Sequence, residues 1–282
     1  MDYAIAEHQI GINRACKICG LSQSSYYYKH KKRSDDEIKK KLLELASGHS
    51  RWGFDKMFDF LRGKNCCWNH KRVYRVYCDL KLNLLVKPKK RIPSRKKKAL
   101  IQPLIPNLCW SMDFMSDALS CGRKFRVFNV IDDYNRECLG IKASMTLPAV
   151  SVTAYLDQVA VLKGYPDIIR VDNGPEFISN HFKLWADSHG IFIHHIEPGK
   201  PAQNGYIERF NRTYREDILD AYLFGSLAEA QRITDRWISD YNNNRPHASL
   251  GGKTPIGFAR AREACIHASL AQTMAVADQQ RN

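Results

Sequence analysis

The chain has 282 residues, 44% of them hydrophobic, with 44 Lys+Arg against 29 Asp+Glu. That length allows one large domain or two smaller ones, and no run of 18 apolar residues is present to suggest a membrane span. The N-terminal stretch lacks the basic-then-apolar layout of a secretory signal, so a cytoplasmic protein with reduced thiols is expected.

The charge is unevenly spread. Residues 1–100 hold 25 Lys+Arg against 9 Asp+Glu, and the remainder holds 19 against 20. A basic front on a near-neutral body suits a front that meets nucleic acid. Nine cysteines are irregularly placed. Cys16 and Cys19 have the spacing of a zinc half-site, but no second pair follows, and small helix residues are the better reading.

In chain order, "INRACKICGLSQSSYYYKH" predicts two short helices about a turn. Ile12, Ala15 and Cys16 form the apolar stripe, Gly20 makes the turn and Ser22 caps the second helix. This is the layout of a helix-turn-helix. "SDDEIKKKLLELA" predicts a helix with Ser34 and Glu37 as a capping box. A helix with Phe54, Met57, Phe58 and Leu61 on one stripe follows. Asn69 then caps a helix whose apolar face is Val73, Val76, Tyr77 and Leu80, with Lys71, Arg72 and Arg75 on the outer, DNA-facing side. Residues 86–107 are basic, rich in proline and without period; they read as an extended linker able to track phosphates.

At 108 the texture changes. Three β-rich runs, "LCWSMDFMSDAL", "KFRVFNVIDDY" and "CLGIKASM", precede a helix over 149–163, the strand "IIRVD", a short helix over 180–189 and the strand "IFIHHI". Helices over about 203–221 and 227–243 complete the series. The expected architecture is α/β: a mixed five-stranded sheet with flanking helices, preceded by an all-α region. The domains are therefore 1–85 helical, 86–107 linker, 108–260 core and 261–282 tail.

Three carboxylates stand out. Asp113 lies inside the first strand among apolar residues, where a lone charge is costly unless paired or metal-bound. Asp172 ends the fourth strand at the turn "VDNG". Glu208 lies early in a helix. If the first and fourth strands are neighbours, both aspartates reach one end of the sheet and the helix lowers Glu208 onto them, so that the three carboxyls converge. Three acids with no matching base suit a hard cation such as Mg²⁺ or Mn²⁺, and two such ions about 3.5–4 Å apart suit phosphoryl transfer. Arg212 and Arg215 share the Glu208 face at i+4 and i+7 and would clamp a DNA phosphate, although Glu208–Arg212 is also an ordinary helix ion pair. Asp132, Asp133 and Glu176 are rivals for the catalytic role, and a turn-forming aspartate is the plainer account of "VDNG".

"WSMDFM", "VIDDYNRE", "VDNGPEF", "GKPAQNGYIERFNRTYRED" and "YNNNRPHASLGGKTP" together resemble the integrase core of insertion-sequence transposases with a DDE triad, over about residues 105–258. Asp172 and Glu208 have 35 residues between them, the D-D-35-E spacing of that family. The front third resembles the helix-turn-helix region of the second-frame product of such elements. The resemblance implies a ribonuclease-H-like fold, Asp113, Asp172 and Glu208 as catalytic metal ligands, and a pocket shaped by Asn173, Gly174, Gln203 and Asn204. It also implies cutting of element ends and joining of the 3′-hydroxyl to DNA. The partners would be duplex DNA at element ends and target, further copies of the chain, and the upstream-frame product as a fusion or subunit; the place of action would be the bacterial nucleoid. A DNA-binding regulator whose core no longer cuts, and a host ribonuclease H, are the alternatives.

Overall fold

The computed structural model describes residues 2–28, 34–84, 100–197 and 201–266. The chain divides into two compact units, 1–41 and 42–282. Residues 42–84 fall in the second unit.

In the first unit, α1 (Asp2–His8), α2 (Ile12–Ile18) and α3 (Gln23–Tyr27) follow one another. Ala15 and Cys16 are buried on α2, and Gly20 takes the left-handed φ of +64° that lets the chain turn. The Ser22 hydroxyl accepts from the Ser25 N–H at 3.1 Å, capping α3 as expected. Tyr26 donates to the Asp2 carboxylate at 2.9 Å and ties α3 to α1.

Helix α4 (Asp36–Gly48) starts later than the capping-box reading requires. Ser34 accepts from the Asp36 N–H at 3.2 Å and donates to the Asp36 carboxylate, while Glu37 stands 4.0 Å from Lys41 one turn on. Asp36, two residues from Ser34, takes the place assigned to Glu37. Helices α5 (Phe54–Gly63) and α6 (His70–Asp79) follow, the latter capped by Asn69 through the Lys71 N–H at 2.9 Å. Met57, Leu61, Val73, Val76 and Tyr77 are buried between them and their neighbours, and Leu80 is half-buried at the end.

Of the expected linker, residues 86–99 lie outside the described residues. Its last part is laid on the core. Gln102 donates to the Tyr134 carbonyl, the Asn107 N–H donates to Asp132, and Tyr206 donates to the Leu100 carbonyl.

The core is a five-stranded sheet, β1 (Cys109–Ala118), β2 (Lys124–Asp132), β3 (Cys138–Ser144), β4 (Ile168–Val171) and β5 (Phe192–His195), in the order β3-β2-β1-β4-β5. The first three strands are antiparallel; β4 and β5 run parallel to β1. This is the ribonuclease-H-like arrangement expected. Side chains alternate between two cores. Trp110, Met112, Phe128, Val130, Ile169 and Val171 meet α7 (Ala149–Lys163), α8 (Pro175–Ile178) and α9 (Asn180–Ser188). Met115, Phe125, Val127, Ile131 and Ile141 meet α10 (Gly205–Tyr214) and α11 (Leu227–Asn244) on the other face. The helix expected over 203–221 is α10 continued by a π-helical turn over Arg215–Leu219.

Candidate active site

The site is built where β4 ends. The parallel register pairs Cys109 with Ile168, Trp110 with Ile169 and Ser111 with Arg170. Carried two residues further, it sets Asp172 level with Asp113. Strand β4 stops at Val171, whereas β1 runs on to Ala118 beside β2 alone. A gap therefore opens along β1 at Asp113. Because Trp110 and Met112 face the α7 side, Asp113 faces α10, as does Asn129, its cross-strand partner on β2.

Helix α10 covers that gap. Ile207, Phe210 and Tyr214 are buried against the sheet, with Ile207 wholly inaccessible, and the Glu208 head remains exposed at one side. Asn211, three residues after Glu208, donates from Nδ2 to Asp113 Oδ2 at 2.7 Å and accepts from Asn129 Nδ2 at 2.7 Å. The other Asp113 oxygen accepts from the Phe114 N–H at 2.8 Å. Burial, with the charges of Asp172 and Glu208 behind it, pushes the Asp113 carboxyl up to about 6 against the pull of those two hydrogen bonds. The three acids thus sense one another. Among the described residues, however, no three His, Cys, Asp or Glu side chains are drawn together tightly enough to hold an ion as they stand. Asp113 and Asp172 accept hydrogen bonds from protein donors, and Glu208 is exposed.

The turn after β4 is shaped around Asp172. Its Oδ1 accepts from the Gly174 N–H at 3.0 Å, and its carbonyl accepts from His195 Nδ1 at 3.2 Å, which fixes the proton on that nitrogen. A Cβ on Gly174 would lie 3.0 Å from Asp172 Oδ1, a tight contact that would press on that carboxylate; its φ of −62° is ordinary. Asn173 donates to the Ile196 carbonyl at 3.0 Å and ties the turn to the chain leaving β5. Gln203 bonds the Glu197 N–H and carboxylate, at 2.8 and 2.9 Å. Asn204 is buried beside the Met112 carbonyl, and its own Oδ1 has no partner.

The rival acids are occupied elsewhere. Asp132 accepts from the Asn107 and Tyr134 N–H groups, and burial raises it to about 6. Asp133, fully buried, pairs with Arg170. Glu176 pairs with Arg126, whose guanidinium lies 4.4 Å over the Phe114 ring.

Of the basic residues singled out, Lys71 and Arg75 are exposed and Arg72 half-buried on α6. Arg212 is exposed on the Glu208 face. Arg215 donates from Nη2 to the Ser116 carbonyl at 3.1 Å, with Nη1 3.7 Å from Asp220. The sequence reading missed Asn211 and Asn129. The signal was available: a residue at i+3 from Glu208 is as near a helical neighbour as Arg212 at i+4, and an asparagine between buried Phe210 and Tyr214 needs a partner. Cys16 is buried and Cys19 exposed, and both are free thiols.

Residues 103–201 and 189–255 each match the integrase core domain family. A protein of insertion element IS476 from Xanthomonas euvesicatoria is 38% identical over 247 residues, spanning 87% of this chain and 71% of that protein. One of insertion element IS407 from Burkholderia multivorans is 35% identical over 263 residues, 93% of this chain and 95% of that one. The HTLV-2 integrase catalytic core domain, in a complex with magnesium, is 22% identical with a TM-score of 0.44, covering 55% of this chain and 98% of that chain. No helix among the described residues is long and apolar enough to cross a membrane. With the integrase family spanning more than half its length and two insertion-element proteins aligned along most of it, the chain belongs to the insertion-element transposases that carry an integrase core domain.

Proposed function

We propose that the chain cuts the ends of its element and joins the freed 3′-hydroxyl to target DNA, with Asp113, Asp172 and Glu208 as the catalytic acids. The observation that carries this reading is Asp113, whose carboxyl is raised to about 6 by burial and by the charges of Asp172 and Glu208. Burying one carboxylate within reach of two further acids makes sense where a divalent cation offsets the charge. The donors of the three acids are all oxygen, and this set fits Mg²⁺ or Mn²⁺. Bound there, two ions would activate the attacking oxygen and stabilise the leaving one.

The protein's own groups set the stage. Asn211, fixed by Asn129, holds the Asp113 carboxylate in one orientation. Gly174 and Asn173 hold Asp172 at the lip of the gap. Arg212, and Arg215 braced on the Ser116 carbonyl, sit on the Glu208 side of α10 and would hold a DNA phosphate in line. In the first step a water oxygen bonds to phosphorus at the element end and the 3′-oxygen leaves, taking up a proton. In the second that 3′-hydroxyl attacks a phosphodiester of the target, and a second 3′-hydroxyl leaves.

Residues 1–85 are the proposed duplex-binding region, with Lys71, Arg72 and Arg75 on phosphates, joined through 86–107 to a catalytic core over 108–260. Further copies of the chain, and the upstream-frame product as fusion or subunit, are the proposed partners on DNA. The test is metal-dependent nicking of a duplex carrying the element end. Cleavage by the natural protein, lost in Glu208→Gln with duplex binding intact, supports the reading. Duplex binding with no cleavage under Mg²⁺ or Mn²⁺ replaces it with a DNA-binding regulator.

A further inference from the structure

The face of α10 turned away from Glu208 borders a second feature. At 100° per residue, Tyr206 and Thr213 lie roughly opposite Glu208, and Arg209 lies about a quarter turn from it. They line a cavity of about 330 Å³ closed by Lys56 of α5, Arg136 of the turn after β2, and Arg245 and His247 beyond α11. Four cations thus face one space. The acids on its wall are Asp55 and Asp59, and Arg245 is bound to Asp217 at 2.6 Å.

Two polar atoms of its lining residues have no partner. Arg136 is only 7% exposed, yet its Nη1 makes no hydrogen bond. Its guanidinium lies 3.5 Å over the Tyr206 ring, and its backbone takes a left-handed φ of +63°. A branched guanidinium held that way costs conformational freedom and desolvation, so an orphaned N–H on it calls for a ligand. His247 Nε2 is the second orphan. Burial holds the ring neutral, its pKa near 3, and the charges of Arg245, Lys56, Arg136 and Arg209 add to that effect. Burial and Arg245 likewise lower Lys56 to about 8. The cluster is therefore a set of like charges that an oxyanion with several acceptors would relieve.

We propose that this cavity is a phosphate-binding subsite, with Arg136, Lys56, Arg209 and His247 donating to the phosphate oxygens. A phosphate matches the requirement better than a carboxylate: its acceptors point in several directions, as the donors here come from four separate segments, and guanidinium groups meet it in a fork. The phosphate has two sources, a phosphodiester of a DNA strand crossing α10 or a free phosphate or nucleotide.

The test uses the whole chain without divalent metal, so its outcome is independent of the catalytic reading. Inorganic phosphate is titrated calorimetrically against chloride at fixed ionic strength. Saturable binding is expected, weakened about tenfold, one increment of 1.4 kcal/mol, in both Lys56→Gln and Arg209→Gln. These two side chains reach the cavity from its rim, so both variants are suited to retain the fold where Arg136→Gln is not; circular dichroism checks it. A short duplex is then added. Displacement of phosphate by the duplex in the natural protein assigns the subsite to a DNA phosphodiester; retention of phosphate assigns it to a free phosphate. Non-saturable heat, or equal affinity in the natural protein and both folded variants, overturns the proposal.

Discussion

One helix, α10, divides two regions of opposite electrostatics. On its Glu208 side, Asp113, Asp172 and Glu208 are acids, and burial, with the charges of Asp172 and Glu208 behind it, lifts Asp113 to about 6. On its Arg209 side, Lys56, Arg136, Arg209 and Arg245 are basic, and burial, with the neighbouring cations behind it, lowers Lys56 and His247. The hydrophobic stripe of Ile207, Phe210 and Tyr214 anchors the helix on the sheet. Each side carries a minority of the opposite sign, Arg212 and Arg215 with the acids and Asp55 and Asp59 with the cations.

The largest effect expected is on the acidic side. Asp172→Asn or Glu208→Gln should lower strand cleavage by on the order of 10²–10³-fold or more, as loss of a principal electrostatic stabiliser does. Duplex binding should be retained. A Glu208→Gln protein that cuts normally would break the comparison outright, because the exposed acid would then be an ordinary surface residue.

Next comes the support of Asp113. Asn211 donates to it and is itself held by Asn129, so Asn211→Leu should raise the Mg²⁺ needed for half-maximal cleavage by roughly 10–100-fold, the range for outer partners of a ligand. Asn211→Asp adds a fourth negative charge and should shift the pH profile as well. If both variants need only the natural Mg²⁺ concentration, Asn211 is a packing residue.

Smaller again is the effect of Arg215. Its guanidinium has five donors, and the bond to the Ser116 carbonyl uses one of them. Arg215→Ala should reduce strand transfer by about tenfold, consistent with roughly 1.5 kcal/mol for one charged hydrogen bond. Mg²⁺ dependence should be unchanged. Arg215→Lys keeps the charge but loses the fork, so an intermediate loss in strand-transfer assays separates orientation from charge.

Much of the acidic side was legible in the chain. "WSMDFM" and "IIRVD" give away two strands by branched and alternating residues, and Asp113 and Asp172 come with them. The helix phase of Ile207, Phe210 and Tyr214 puts Glu208 at the side of the buried stripe. The π-helical turn at Arg215–Leu219 was not legible, since one extra residue per turn over five residues barely disturbs an apolar pattern. The cap at Ser34 failed for a similar reason: two acids, Asp36 and Glu37, compete for one hydroxyl within a residue of each other. The cationic cavity left no local trace at all. Its donors come from residues 56, 136, 209 and 247, and only tertiary packing brings them together; each alone is a plain basic residue or an isolated histidine.

The smallest effect bears on stability and sharpens the contrast from the acidic side. Folded, Asp113 keeps its proton up to about pH 6; unfolded, it releases it near its ordinary 3.8. Between those values the folded state binds more protons, so stability falls as pH rises through the window, and the full deficit is present above it. Asp113→Asn removes the charge while its carbonyl oxygen can still accept from Asn211. The variant should therefore unfold at a higher temperature than the natural protein at pH 7, by about 1 kcal/mol once solvent screening of a half-buried group is allowed for. Below pH 3.8 the two should melt together. Saturating Mg²⁺ at pH 7 should close the gap from the other direction, because a cation bound to the natural carboxylate stabilises it and the amide offers a poorer ligand. Calorimetric melting of both proteins from about pH 3 to 8, with and without Mg²⁺, checks each part. A variant less stable than the natural protein at pH 7 would mean that the hydrogen bonds from Phe114 and Asn211 to the charged carboxylate outweigh its burial, and that the acidic side is under no strain.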